Sequence, residues 1–222
     1  LAQKRSRRTN PVPMLRAGDV VYLEKFLDGL VPAELLTVST WAERNRVLDT
    51  RTSAEPGPWR NERTPYLTEI MDALSIDSPV ERVVIQKGSQ TGGTEAGNNW
   101  LGYVIDHAPA SMMLVMPTVD LGRRSSKQRI DPMIESTPAL SARVKEARER
   151  DSGNTTFAKQ FPGGLLIITG ANSAAGLRST PARYLFLDDV DAFPGDVEGE
   201  GDPVLLAERA ARTFANRKVL IV

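Results

Sequence analysis

The chain has 222 residues, 41% of them hydrophobic, enough for one sizeable α/β domain or a domain plus an arm. Lysine plus arginine and aspartate plus glutamate both number 28, so any polyanion-binding face has to be local. The absence of cysteine excludes disulfides and thiolate metal sites, and the single histidine, His107, argues against a His-based metal centre or a Ser-His-Asp triad.

In chain order, residues 1–16 read as an arm. Lys4, Arg5, Arg7 and Arg8 cluster there, and Pro11 and Pro13 block regular structure. Contact with DNA or a partner and a merely solvated terminus are both open for it. Residues 19–30 form a plausible helix and residues 38–48 another, capped near Ser39 or Thr40. A loop over 49–61, built on Thr52, Ser53, Pro56, Gly57 and Pro58, carries Trp59 and Arg60. Thr64 then caps a helix with Pro65 at its first position and Tyr66, Ile70, Met71 and Leu74 as its apolar stripe.

The β-branched run 82–86 predicts a short buried strand. It leads directly into Lys87, Gly88, Ser89, Gln90, Thr91, Gly92, Gly93 and Thr94, where a helical pattern begins. Strand, glycine-rich loop and helix together cradle a phosphate, because inward-turned amides and the helix N-terminus attract an anion. The standard pattern G-x-x-x-x-G-K-[ST] is met with two departures. One residue fewer separates the glycines, and Gly93 stands where lysine is expected. Lys87 is the nearest cation able to fold back over a phosphate, and Thr94 keeps the hydroxyl that binds Mg²⁺. A glycine-rich turn without ligand is the competing reading of this stretch.

The helix predicted over 94–107 places Trp100, Leu101, Val104 and Ile105 at core spacing. A second buried strand, 112–116, ends at Pro117-Thr118, and a helix over 121–134 carries Arg123, Arg124, Lys127 and Arg129. A solvated face and a phosphate- or DNA-facing role are both open for that basic stretch. Residues 155–169 predict a hairpin turning at Pro162-Gly163-Gly164, followed by a small-residue loop over 170–179 that holds Arg178. The apolar run 184–187 then terminates in Asp188 and Asp189, with Asp191 close by. Carboxylates at such a strand end hold a metal and orient water in nucleotide hydrolases. A solvated acidic loop is the alternative. Alternating strands and helices predict a mainly parallel sheet, with 82–86 and 184–187 as adjacent central strands.

The combined blocks resemble the ATPase portion of the large terminase subunit of tailed bacteriophages, in its lambda-like branch. They are SAEPGPWRNERTPYLTEIMDAL, QKGSQTGGTEAGNNWLGYVIDH, RDSGNTTFAKQFPGGLLIITGANSAAGLRSTPARYLFLDDVDAFP and EGEGDPVLLAERAARTF, within residues 37–222. The resemblance implies an α/β P-loop NTPase fold, a parallel sheet flanked by helices behind an N-terminal helical arm. It also implies an ATP- and Mg²⁺-dependent motor that pulls double-stranded DNA into a preformed capsid. Lys87 and residues 88–94 then hold phosphate, Thr94 and Asp188 hold the metal, and Asp189 orients water in place of the family's usual glutamate. Arg178, or a member of the Arg123–Arg129 group, senses the γ-phosphate. Trp59, Arg60 and Tyr66 lie where the family approaches adenine, although a core clamp fits Trp59 equally.

The expected organisation is a basic arm and helical subdomain over 1–60 and the ATPase core over 61–222. The family's C-terminal nuclease domain is expected outside this chain, which ends on an apolar run. Expected partners are DNA, portal protein and the small terminase subunit, in a homo-oligomeric ring within the host cytoplasm. No apolar run approaches membrane-spanning length and no signal peptide is recognised, so no membrane partner is expected. Two further readings stay open. One is another P-loop translocase or helicase. The other is a weakly hydrolytic nucleotide-binding scaffold, favoured by Gly93 and Asp189.

Overall fold

The computed structural model describes residues 17–30, 34–144 and 154–222. The basic arm over 1–16 lies outside them. The chain divides into two compact units, Leu1–Leu35 and Leu36–Val222. In the first, helix α1 spans Ala17–Leu30. The second begins with α2, Val38–Asn45, whose first turn is capped by the Thr37 hydroxyl accepting from the Thr40 amide at 3.3 Å. Trp41 on α2 and Trp59 are buried in the core of this larger unit. Residues 36–60 therefore belong to the sheet-bearing unit.

The remaining elements follow in order. A small antiparallel pair, β1 (Val47–Leu48) and β2 (Gly57–Pro58), precedes α3 (Tyr66–Ala73) and β3 (Arg82–Val84). Next come α4 (Gly93–Asp106) and β4 (Met112–Met116). The helix predicted over 121–134 is interrupted: α5 (Val119–Ser125) passes through a π turn, Ser126–Ile130, into α6 (Asp131–Ser136), and the short α7 (Pro138–Ser141) follows. The predicted hairpin is β5 (Ala158–Phe161) and β6 (Gly164–Gly170), paired antiparallel. The small-residue loop contains a short helix, α8 (Ala174–Arg178), capped by Ser173. The chain closes with β7 (Tyr184–Leu187), α9 (Pro203–Ala211) and β8 (Lys218–Ile221).

Six strands form one sheet in the order β3-β8-β7-β4-β6-β5, parallel except for β5. The interior strands are apolar on both faces, as a parallel sheet covered on both sides requires. Met112, Leu114 and Met116 face one core with α2, α3, α4 and α6, whereas Met113 and Val115 face a second core with α8 and α9. The β3 strand departs from expectation. It is short, exposes Arg82 and Val84, and forms the sheet edge, with β8 between it and β7. Arg82 pairs with Glu208, and a charged residue in so brief a strand suits an edge. The Lys-Val-Leu segment of β8 is buried and takes the inner place; the Lys218 ammonium donates to the carbonyls of Ser78 at 2.9 Å and Val80 at 2.6 Å.

One close approach fixes the spacing between α4 and the sheet. A Cβ at Gly97 would lie 2.0 Å from the Phe186 ring, so the helix backbone rests directly on β7. Leucine or alanine at position 97 cannot fit unless the Phe186 ring or the helix shifts.

Candidate active site

The loop between β3 and α4 is held by named contacts on several sides. Sheet pairing ends where the Ile85 amide donates to the Ile221 carbonyl at 2.8 Å. Beyond it Gln90 adopts a left-handed φ of 61° and Gly92 one of 83°. The intervening Thr91 donates its hydroxyl to the Gly88 carbonyl at 3.2 Å, and its own carbonyl accepts from the Tyr66 hydroxyl at 3.0 Å. Gly92 gives α4 no side-chain cap, so the first-turn amides are left for a ligand. Lys87 crosses the loop over Gly93: a Cβ there would meet its Cε at 2.5 Å and its Cδ at 2.6 Å. The missing lysine and the displaced lysine are thus one arrangement. A side chain at position 93 would occupy the path that Lys87 takes.

Asp188 leaves the carboxyl end of β7 and is 2% exposed. Thr94, in the first turn of α4, donates its hydroxyl to Asp188 Oδ1 at 3.1 Å. Burial, and then the neighbouring Asp189 charge, push the Asp188 carboxyl up to about 6, against the pull of Thr94, Arg129 and Lys87. Asp189 is exposed, with a left-handed φ of 58° at the sharp turn off the strand. A cation beside Asp188 would offset both causes of its raised pKa by favouring the ionised carboxylate. Among the described residues no group of three or more His, Cys, Asp or Glu stands ready to hold a metal. One hydroxyl and one carboxylate nevertheless form a hard-oxygen donor set that suits Mg²⁺, which keeps several waters and phosphate oxygens in its shell.

A cavity of about 970 Å³ joins these parts. Lys87, residues 89–95 and both aspartates form one side. Arg124, Lys127 and Arg129, from α5 and the π turn, face them, and Arg51 and Thr52 enter from the β1–β2 turn. Of the arginines expected near the γ-phosphate, the 123–129 group supplies Arg124 and Arg129. Arg178 is not among the lining residues and pairs with Glu200 at 2.9 Å. Nor do Trp59, Arg60 and Tyr66 line the cavity. Trp59 is a core residue whose indole N–H donates to Asn61 at 2.8 Å, Arg60 lies 3.8 Å from Glu62, and Tyr66 holds the loop from outside. Sequence reasoning passed over Arg51, Thr52 and Glu95. Glu95 meets the buried Arg46 at 3.3 Å, and burial lowers that guanidinium's pKa despite the partner. The available signal was the register of α4: Glu95 directly follows Thr94.

A family model described as "Phage terminase large subunit gpA, ATPase domain" matches residues 53–222. The chain belongs to this family. It is 27% identical over 181 residues to the terminase large subunit of Enterobacteria phage P21, covering 81% of this chain and 28% of that protein. The Escherichia phage lambda terminase large subunit is 26% identical over 184 residues, covering 82% and 28%. The chain therefore spans a little over a quarter of the curated relatives it matches. A solved large terminase ATPase domain from Thermus phage P74-26 is similar with a TM-score of 0.44 and 16% identity, covering 64% of this chain and 58% of that one. The terminase family match includes the glycine loop, both aspartates and the basic wall, but starts just after Arg51 and Thr52.

Proposed function

We propose that this chain hydrolyses ATP as the motor domain of a phage terminase large subunit, driving double-stranded DNA into a capsid. The observation that carries the reading is the Thr94–Asp188 hydrogen bond at the mouth of the glycine loop. It unites a hydroxyl in the first turn of α4 and a buried carboxylate at the carboxyl end of a parallel sheet, where such folds bind ligands. Lys87 and the amides of Gly88, Ser89, Gln90, Thr91, Gly92, Gly93 and Thr94 cradle the phosphates. Thr94 and Asp188 would hold Mg²⁺, which when bound neutralises phosphate charge. Asp189, exposed beside the buried aspartate, orients the attacking water. Arg129, whose charge already acts on Asp188, faces the charge that develops on the transferred phosphoryl group. Arg178 takes that role only after releasing Glu200. Of the residues assigned to adenine, Tyr66 touches the loop through the Thr91 carbonyl, whereas Arg60 lies beside Glu62 and Trp59 is buried in the core.

By family resemblance the motor works in the host cytoplasm as a homo-oligomeric ring with portal protein and the small terminase subunit. Among the described residues no helix is long and apolar enough to cross a membrane. The test is DNA-stimulated ATP turnover by this chain. Asp189→Asn should lower turnover by ~10²–10⁴-fold while nucleotide affinity holds, and Asp189→Glu should raise it. Turnover unaffected by DNA would favour the scaffold reading. Strand separation without packaging would favour a helicase.

A further inference from the structure

The block TTFAKQFPGG has no part in the site, yet it contains a buried lysine. Lys159, on edge strand β5, has a side chain only 4% exposed. Its ammonium lies 2.7 Å from Asp131 Oδ1 and donates to the Thr155 carbonyl at 2.8 Å. The Asp131 carboxylate is partly exposed, but burying the lysine ammonium is expensive and the pair is weak evidence for stability alone, so its placement calls for a reason. Asp131 is the residue at which the π turn ends. Its amide donates to the Ser126 carbonyl, closing the wide turn. A π turn is less favourable than α-helix and tends to occur at functional sites. This one also leaves the fully buried Ser126 hydroxyl without a hydrogen-bond partner among the described residues. Something outside the helix must hold it. The same hairpin makes a second contact with this helical segment, through Phe157, whose ring lies 5.7 Å from the Arg123 guanidinium. Between these two anchors the turn presents Lys127, Gln128 and Arg129 to the cavity.

We propose that Lys159, through Asp131, is a positioning residue that keeps the π turn in the register presenting Arg129 to the phosphates. The role of Arg129 in this inference rests on the ATPase reading, whereas the hold of Lys159 on the turn does not. A slip of one residue rotates a helical side chain by about 100°, so loss of the pair turns Arg129 away from the cavity. Nucleotide binding, which depends on the glycine loop, is left largely in place.

The experiment compares Lys159→Met with the paired replacement Lys159→Met plus Asp131→Leu. Hydrogen–deuterium exchange is followed over residues 126–131 and, as a control, over 93–106. Lys159→Met should speed exchange in the first segment and not the second. It should lower kcat by ~10–10²-fold with KM for ATP within about twofold. The paired replacement removes both charges of the pair, so its melting temperature should return close to that of the parent while kcat stays low. In an Arg129→Ala background the paired replacement should reduce kcat no further. Unchanged exchange over 126–131 overturns the inference. So does recovery of kcat together with melting temperature, which is what a merely structural pair predicts. If Lys159→Met does not fold, the paired replacement alone decides between these outcomes. A parent chain without ATP turnover would sink the motor reading, and the exchange comparison would still decide whether Lys159 holds the turn.

Discussion

Two strand ends meet at the active site, and they are built on opposite plans. The β7 end is central, flanked by β8 and β4, and every residue from Tyr184 to Asp188 is buried. The β3 end lies at the sheet edge, and the loop beyond it is held by side chains: Tyr66 on Thr91, Thr91 on Gly88, Lys87 across Gly93. The carboxylate is therefore fixed by the sheet and the phosphate cradle by local contacts. Rigid placement suits the metal-ligand role proposed for Asp188, whereas a loop proposed to admit and release a nucleotide needs adjustable restraints.

The largest effect expected from this contrast is at the rigid end. Asp188→Asn should abolish measurable turnover and weaken Mg²⁺-dependent nucleotide binding together, because the cation loses its charged oxygen ligand. The same substitution tests the raised pKa. Between the ordinary 3.8 and about 6 the folded protein retains a proton that the unfolded chain has lost. Without divalent cation, the contribution of Asp188 to stability is present in full below 3.8 and is lost as pH rises through 6. Its size is at most ~3 kcal/mol. Urea midpoints measured in EDTA on either side of that window should fall with rising pH in the parent, and by less in Asp188→Asn.

At the adjustable end the effects are graded. Lys87→Ala removes a charge-assisted contact and should weaken ATP binding or turnover by ~10–10²-fold, with Lys127→Ala costing less. Equal, small losses from the two would make Lys87 an ordinary strand-end lysine. Gly93→Lys restores the standard lysine but collides with the Lys87 stem, so it should reduce ATP affinity by ~10-fold. Lys87→Ala in the same chain should then restore affinity, and a gain from Gly93→Lys alone would refute the shared path. Tyr66→Phe, which deletes only the hydroxyl, is the mildest change. It should raise the KM for ATP by ~2–10-fold with kcat nearly unchanged, and Gln90→Gly should recover part of the loss by relieving the left-handed backbone.

Legibility in the sequence followed the same division. The strand 112–116 and the Asp188 terminus could be read because burial on both faces leaves uninterrupted apolar runs, and the hairpin because Pro162-Gly163-Gly164 marks its turn. The edge position of β3 could not: 82–86 is as β-branched as an inner strand, and only the long-range competition with the Lys-Val-Leu of β8 decides between them. The π turn was hidden for a related reason, since 121–134 carries a continuous helical pattern and nothing local records the pull of Lys159 on Asp131. Arg51 reaches the cavity from a Pro/Gly-rich loop, where residue type carries no direction. Gly93 was legible as a departure, but its meaning required the Lys87 side chain to be seen across it.

The contact of Gly97 with Phe186 has a consequence for how this domain can change over generations. It sets the height of α4 above β7, and with it the reach from Thr94 to Asp188. A lineage acquiring alanine at position 97 would be driven to a smaller residue at 186. Positions 97 and 186 are thus expected to drift as one inherited unit.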